Sequence, residues 1–128
     1  TAVAWCLLDE KEGNVDQLFD EASDATIIVP SLWWTEIANA FLSTERKKRC
    51  SVKQAEEYLA LMLSMNIDVD ERGYLYAHDT ILTLARELKL TAYDASYLEL
   101  AIRQHATLVS LDKKLIAAAE ACDVQVLG

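Results

Sequence analysis

The stretch TIIVPSLWWTEIANAF, residues 26–41, predicts the class of fold. Its first four residues form a β-branched run that has the length of a strand and is too apolar to be half exposed. After Pro30 and Ser31, a residue suited to cap a helix, apolar side chains recur at spacings of three and four. A buried strand that leads directly into an amphipathic helix is typical of α/β proteins with a parallel sheet.

The same alternation of strand and helix continues along the chain. Four short apolar runs are predicted to be buried strands: 26–29, 67–69, 107–109 and 124–127. Six segments carry apolar residues at helical spacing: 14–23, 31–45, 51–64, 76–89, 91–105 and 112–122. No linker or repeat divides them, so we expect a single domain over residues 1–128. The predicted fold is a three-layer α/β/α sandwich with a central parallel sheet and helices on both faces.

The composition excludes several other classes of protein. With only 3 glycines and 1 proline in 128 residues, the chain has too few turn residues for an all-β sandwich or barrel. Its 3 cysteines, Cys6, Cys50 and Cys122, form no CxxC, which favours reduced thiols in the cytoplasm. No apolar run reaches about 18 residues and no signal sequence opens the chain, so we expect a cytoplasmic protein without a membrane span.

The formal net charge of -9 argues against a general, tight binder of nucleic acid, because such proteins use a basic surface to release counterions from phosphate. An acidic chain can still cleave nucleic acid when divalent cations lie between its carboxylates and the phosphate. The acidity therefore favours a metal site over a basic groove.

Three carboxylates follow predicted strands or open predicted helices, the places where ligands bind in open parallel sheets. Glu36 lies near the start of the helix after TIIVP, Asp94 opens the helix after LKLTAY, and Asp112 follows the strand in TLVSL. Oxygen ligands of this kind suit Mg²⁺ or Mn²⁺. Zinc is disfavoured because His78 and His105 have no metal-ligand spacing with each other or with a cysteine.

These acids lie in three segments that resemble motifs of the PIN-domain family, in particular the VapC-type toxins of toxin–antitoxin systems. VPSLWWTEIANAF is similar to the family's second-acid helix, LTAYDASYLELA to its third-acid motif and TLVSLDKKL to its fourth-acid motif. The order, spacing and flanks match over essentially the whole chain. The resemblance implies a metal-dependent endoribonuclease in which Glu36, Asp94 and Asp112 hold one or two Mg²⁺ or Mn²⁺ ions. A metal-activated water would then attack an RNA phosphodiester bond.

The resemblance also implies supporting residues and partners. Asn39, Ser110 and Thr91 are expected to support the acids by hydrogen bonding. In the PIN toxins the early helices form a groove for the C-terminal segment of an antitoxin, and the domains pair as homodimers. An RNA substrate, a cognate antitoxin protein and a second copy of the chain are therefore the expected partners.

One part of the family pattern has no match in residues 1–10. The family opens with a strand that ends in an acid, as in VLDASVALAWLL, and TAVAWCLLDE matches only the residues after that acid. We therefore expect residues 2–8 to form the first helix, and the first, central strand with its acid to lie upstream of Thr1. A central slot left empty would leave backbone donors and acceptors unpaired.

The candidate residues also have purely structural interpretations. Asp94 can form a capping box with Thr91, and Asp112 can cap the helix that it opens. Glu36 can be a solvated residue on the polar flank of its helix. The basic run ERKKRC, residues 45–50, is either a solvated loop or a contact to the RNA backbone. Four side chains would make that contact: Arg46, Lys47, Lys48 and Arg49.

Two functions of other classes compete with the ribonuclease. A catalytically silent PIN-like binding or scaffold module would account for the unmatched first acid. A phosphate-accepting receiver domain is also small, acidic and doubly wound. Its acid pair, its phospho-acceptor aspartate and its lysine after the last major strand do not fit the pattern of this sequence.

Overall fold

The computed structural model describes residues 2–4, 26–110 and 112–127. In these ranges five strands form one sheet: β1 (Ala2–Ala4), β2 (Ile27–Pro30), β3 (Ile67–Asp70), β4 (Thr107–Val109) and β5 (Val126–Leu127). Their order across the sheet is β3-β2-β1-β4-β5, and the neighbouring strands are parallel. The predicted α/β fold with a central parallel sheet is confirmed.

The central position of the sheet belongs to β1, which corrects one prediction. Val3 is in register with Ile28 of β2 on one side and with Leu108 of β4 on the other. Residues 2–4 are therefore a strand and not the start of a helix, and the central strand is not missing. The sequence of residues 2–4 did not predict this strand, because three apolar residues are too few to show the periodicity of either a strand or a helix. The backbone groups of β2 and β4, however, are paired by a strand placed between them.

Five α-helices lie in the described part of the chain: α1 (Trp33–Arg46), α2 (Val52–Leu63), α3 (Leu82–Leu88), α4 (Ala92–Gln104) and α5 (Lys113–Ala121). Each overlaps a predicted helical segment. The predicted helix at 14–23 and the rest of the predicted first helix, 5–8, lie outside the described residues. None of the described helices has both the length and the apolar character needed to cross a bilayer.

Side chains define the starts of some helices. Ser51 and Gln54 form the predicted capping box of α2, in which each side chain bonds the backbone N–H of the other residue at 3.1 and 2.9 Å. The predicted cap of α1 at Ser31 is wrong, because Ser31 lies in a turn and the helix begins at Trp33. Leu32 already has helical backbone angles, and its carbonyl accepts the N–H of Glu36 at 3.0 Å.

The predicted helix at 76–89 is divided into segments of different pitch. A 3₁₀ turn (Gly73–Tyr76) and a π turn (Ala77–Ile81) precede α3. Tyr76 is the last residue of the 3₁₀ turn, and Ile81 is the last residue of the π turn. Ile81 is buried, and the ring of Tyr76 packs against Arg103.

Four of the described helices end in the same way, and none of them uses glycine. The residue beyond each end has left-handed backbone angles, and the following N–H bonds to a carbonyl five residues earlier at 2.9 to 3.0 Å. The left-handed residues are Lys48 (φ 58°), Lys89 (φ 56°), His105 (φ 51°) and Asp123 (φ 58°). This Schellman-type closure sets the ends of α1, α3, α4 and α5.

The core lies between the sheet and α4, which contacts β1, β2 and β4. Ala95, Tyr97 and Leu98 of α4 have no exposed surface. The expectation that every strand is buried is wrong for the two strands at the edges of the sheet. Val69 of β3 is 39% exposed, and both residues of β5 are half-buried, because an edge strand has a neighbour on only one side.

Candidate functional site

Two of the predicted acids follow the strands on either side of β1, and the third lies at the start of the helix that packs on the sheet. Glu36 is in the first turn of α1, which follows β2, and Asp112 is the N-cap of α5, which follows β4. Asp94 is in the first turn of α4, the helix that packs on the middle of the sheet. Since β2 and β4 are both parallel to β1, Glu36 and Asp112 follow the same edge of the sheet.

Glu36 and Asp94 lie close enough for their charges to interact. Glu36 is half-buried, and burial is the main reason that its pKa is raised from the usual value. The negative charge of Asp94 raises the pKa of Glu36 further. Two carboxylates that raise each other's cost of ionisation form a place where a cation would be stabilised.

Tyr97 links α4 to α1 through a hydrogen bond to Glu36. Its hydroxyl donates a hydrogen bond to Oε1 of Glu36, and this bond opposes the rise in the pKa of that carboxyl group. The tyrosine is fully buried. Sequence reasoning did not select Tyr97, although its spacing contained a signal. It lies three residues after Asp94, so the two side chains share one side of α4.

Asp112 caps the helix that it opens, as its structural interpretation predicted. Its Oδ1 accepts the N–H groups of Lys114 at 2.9 Å and Leu115 at 3.2 Å. Ser110 is fully buried, and its Oγ accepts the N–H of Asp112 at 3.0 Å. The expected support of Asp112 by Ser110 therefore has a hydrogen bond in the structure. That bond reaches the backbone of Asp112 and not its carboxylate.

The other two supporting candidates differ in their contacts. Oγ1 of Thr91 accepts the N–H of Asp94 at 3.1 Å, so Thr91 caps α4 and holds the backbone of the acid. Asn39 lies three residues after Glu36 on the exposed part of α1. Its role at the site stays a prediction.

The three acids are not brought together as one set of ligands. Within residues 2–4, 26–110 and 112–127, no group of three or more acidic, histidine or cysteine side chains is arranged to hold a metal ion. Two carboxylates are nevertheless sufficient for one class of ion, because Mg²⁺ is usually bound through one or two carboxylates and keeps several waters. The pair of Glu36 and Asp94 fits that description, and Asp112 follows the same edge of the sheet.

A second cluster of charged side chains, which sequence reasoning missed, fastens α4 to the end of β3. Arg103 donates two hydrogen bonds to Asp70, at 2.8 and 3.0 Å, and two to Glu99, at 2.7 and 2.9 Å. Both acids are buried, and the guanidinium also lies 4.5 Å from the centre of the Tyr76 ring. Hydrogen bonds from Arg103 are the main cause that lowers the pKa of Asp70. The available signal was the i,i+4 pair of Glu99 and Arg103.

The basic run lies in and just beyond the last turn of α1. Its four side chains are exposed: Arg46, Lys47, Lys48 and Arg49. The left-handed angles of Lys48 reverse the chain there, and the N–H of Arg49 bonds the carbonyl of Thr44 at 2.9 Å. Ten residues of α1 separate Glu36 from Arg46, which corresponds to about 15 Å along the helix axis.

Comparison with known proteins agrees with this architecture. The chain matches the PIN domain family over residues 1–121. Its fold is similar to the crystal structure of PAE2754 from Pyrobaculum aerophilum, with 25% sequence identity and a TM-score of 0.71 over 98% of this chain and 88% of that chain. No curated protein matches the chain. PIN domains are generally nucleases that use divalent metal ions. The match over nearly the whole sequence, on a parallel sheet with acids at its carboxyl edge, leads to the conclusion that this chain belongs to the PIN-domain family.

Proposed function

We propose that this protein is a metal-dependent endoribonuclease and the toxin of a type II toxin–antitoxin pair, similar to the VapC-type PIN domains. The observation that carries the proposal is the pair of carboxylates, Glu36 and Asp94, at the carboxyl edge of the sheet of a PIN domain. The raised pKa of Glu36 reflects a site where negative charge is unfavourable without a cation. Such a site is suited to bind Mg²⁺ or Mn²⁺ between protein and phosphate.

Each acid has a defined part in this proposal. Glu36 and Asp94 would hold the cation, and Asp112 would contribute from the end of β4, on the other side of β1. In Asp112, Oδ1 is engaged by the first turn of α5, which fixes the carboxylate and leaves Oδ2 without a hydrogen bond from the described residues. When bound, the ion supplies a nucleophilic water at neutral pH and neutralises charge on the scissile phosphate.

The rest of α1 offers a path for the RNA backbone. Glu36, Asn39, Ser43 and Arg46 follow one another at spacings of three and four, so they share one flank of the helix. Asn39 is exposed beside the acid, and the flank ends at the basic run of Arg46 to Arg49. An RNA strand whose backbone starts at the acids would therefore meet positive charge about 15 Å away. This arrangement supports local contact to RNA on a chain whose net charge is -9.

An exposed apolar surface supports the proposed protein partners. Leu42 of α1 is 44% exposed and Val52 of α2 is 59% exposed, and both line an open groove of about 390 Å³ between these helices. Exposed apolar grooves of this kind often mark interfaces. We propose that the early helices bind the cognate antitoxin and that the domain forms a homodimer.

Metal-dependent cleavage of RNA by the purified protein tests the function. We expect cleavage with Mg²⁺ or Mn²⁺, no cleavage in excess chelator, and at least a hundredfold loss of rate in Glu36→Gln. Glu57→Gln, which changes an exposed glutamate of α2, is the matched control and should keep the wild-type rate. Undiminished cleavage by a highly purified sample in chelator would contradict the mechanism.

A catalytically silent PIN-like binding module is the second candidate function. The observation in its favour is that the three acids are not assembled as one metal-binding group in the described residues. This candidate predicts binding of a partner without cleavage of RNA under any metal condition. The same assay, with wild type and Glu36→Gln equally inactive, would favour it over the nuclease.

A further inference from the structure

The two oxygens of the Glu36 carboxylate have different surroundings. Oε1 accepts the hydroxyl of Tyr97, so one oxygen is already committed to a hydrogen bond with the protein. The described residues supply no such bond to Oε2. The carboxylate is therefore asymmetric before any ligand reaches it.

The partner of Oε1 is held rigidly. Tyr97 has no exposed surface, and it lies on α4 in the main core cluster together with Leu98 and Leu100. Close packing fixes the ring, because a buried aromatic side chain has no free volume in which to change its rotamer. The phenol has one polar atom, and a buried hydroxyl without a partner costs free energy. The hydrogen bond to Glu36 is thus built into the core and is not a flexible surface contact.

We propose that Tyr97 is a positioning residue that makes Glu36 a one-oxygen metal ligand and thereby selects Mg²⁺ or Mn²⁺ over Ca²⁺. The inference rests on the proposed function, since it assumes that Glu36 binds the cation. Ca²⁺ takes six to eight oxygens and often binds a carboxylate through both of them. Mg²⁺ demands near-ideal octahedral geometry and keeps several waters, so a single fixed oxygen suits it better. The hydroxyl of Tyr97 competes for the oxygen that two-oxygen binding would need.

Removal of the hydroxyl alone tests this role. Tyr97→Phe keeps the ring and leaves both oxygens of Glu36 without a phenol partner. The test compares the dissociation constants of Mn²⁺ and Ca²⁺, measured by titration calorimetry on wild type, Tyr97→Phe, Tyr93→Phe and Glu36→Gln. Tyr93 lies on the same helix but is 65% exposed, which makes it the matched control. Thermal melts of the metal-free proteins show that each variant is folded.

The expected result is a change in selectivity. In Tyr97→Phe the preference for Mn²⁺ over Ca²⁺ should fall about tenfold, which is close to the lower end of the range for a lost hydrogen bond to a charged group. Tyr93→Phe should keep the wild-type ratio. An unchanged ratio in Tyr97→Phe, including equal weakening of both ions, would overturn the inference.

The Glu36→Gln variant separates failure of this inference from failure of the proposed function. If Glu36→Gln weakens both ions while Tyr97→Phe leaves their ratio unchanged, Glu36 binds metal and only the role of Tyr97 is wrong. If Glu36→Gln binds both ions as wild type does, Glu36 is not a ligand, and the proposed metal site is wrong as well.

Discussion

Folding disfavours the ionised form of Glu36, which is the form that the proposed metal site requires. Burial and the charge of Asp94 raise its pKa, so the ionised carboxylate destabilises the metal-free fold. A group whose pKa is raised by folding stabilises the protein below its unfolded pKa. That contribution is lost as the pH rises through the folded pKa. The ionised carboxylate that would bind a cation is therefore the form that the metal-free fold disfavours.

This balance predicts a pH-dependent effect of Glu36→Gln in chelator. At neutral pH the variant should melt at the same or a higher temperature than wild type, by a few degrees at most, because it removes the charge and still offers Oε1 to Tyr97. Below about pH 4 the difference should disappear, since both side chains are then neutral. Thermal melts across this pH range measure it, with Glu57→Gln as the control. A lower melting temperature at neutral pH would show that the ionised carboxylate stabilises the fold.

Among the secondary-structure elements, α4 makes contacts to the core, to the candidate site and to the edge of the sheet. It packs on the middle of the sheet, bears Asp94 and Tyr97 near its start, and is fastened near its end by Arg103 to Asp70 of β3. The cluster of Asp70, Glu99 and Arg103 has two acids and one base, and all three side chains are at most 15% exposed. The guanidinium of Arg103 therefore balances the negative charge of two carboxylates that have little access to water.

We predict that Arg103→Met lowers the free energy of unfolding by about 3–5 kcal/mol, because it leaves two buried carboxylates without their partner. Urea denaturation at neutral pH measures the loss, and Arg86→Met, at an exposed position of α3, should change stability little. Arg103 lowers the pKa of Asp70, so this stabilisation is present above the unfolded pKa of Asp70 and is lost as the pH falls through its lower folded pKa. A loss below about 1 kcal/mol in Arg103→Met would mean that the cluster does not hold α4.

The elements also show how far the sequence alone could predict the structure. Strands β2, β3 and β4 were found at nearly the correct residues, since each is a β-branched run between helical segments. The position of β1 was missed because three residues have no readable period. The burial of Asp70 was missed because it depends on Arg103, which lies 33 residues away in sequence. Local pattern therefore predicted the sheet and the placement of Glu36 and Asp94, whereas pairings that form only in the folded chain, such as Tyr97 with Glu36, could not be read from it.

At the scale of the whole molecule, net charge and local charge act against each other. The chain has a formal net charge of -9, yet its exposed basic run concentrates four positive charges over four residues at one end of α1. Phosphate contacts formed there would release counterions, while the remaining surface repels RNA. Binding should accordingly be weak and steeply dependent on salt.

We predict that replacing Arg46, Lys47, Lys48 and Arg49 with serine weakens RNA binding and flattens its dependence on salt. Each lost contact to single-stranded RNA should reduce the slope of log K against log salt by about 0.7. Arg46→Ser and Arg86→Ser form a matched pair, because each removes one positive charge from an exposed helical position. If the two single changes weaken RNA binding equally, the effect comes from net charge alone. The basic run would then be a solvated loop and not a contact to RNA.

The four glycine-free helix ends have a consequence for engineering of the protein. A side chain in the left-handed region is strained by contact of its Cβ with the backbone, at a cost of about 1 kcal/mol per residue, and glycine avoids that contact. Lys89→Gly and His105→Gly should therefore each raise the melting temperature by a few degrees. Gln104→Gly, one position earlier and inside α4, should lower it, since glycine there only weakens a helix. If calorimetry gives this opposite pair of signs, the domain can be made more heat-resistant at its helix ends, with its acids and its sheet left as they are.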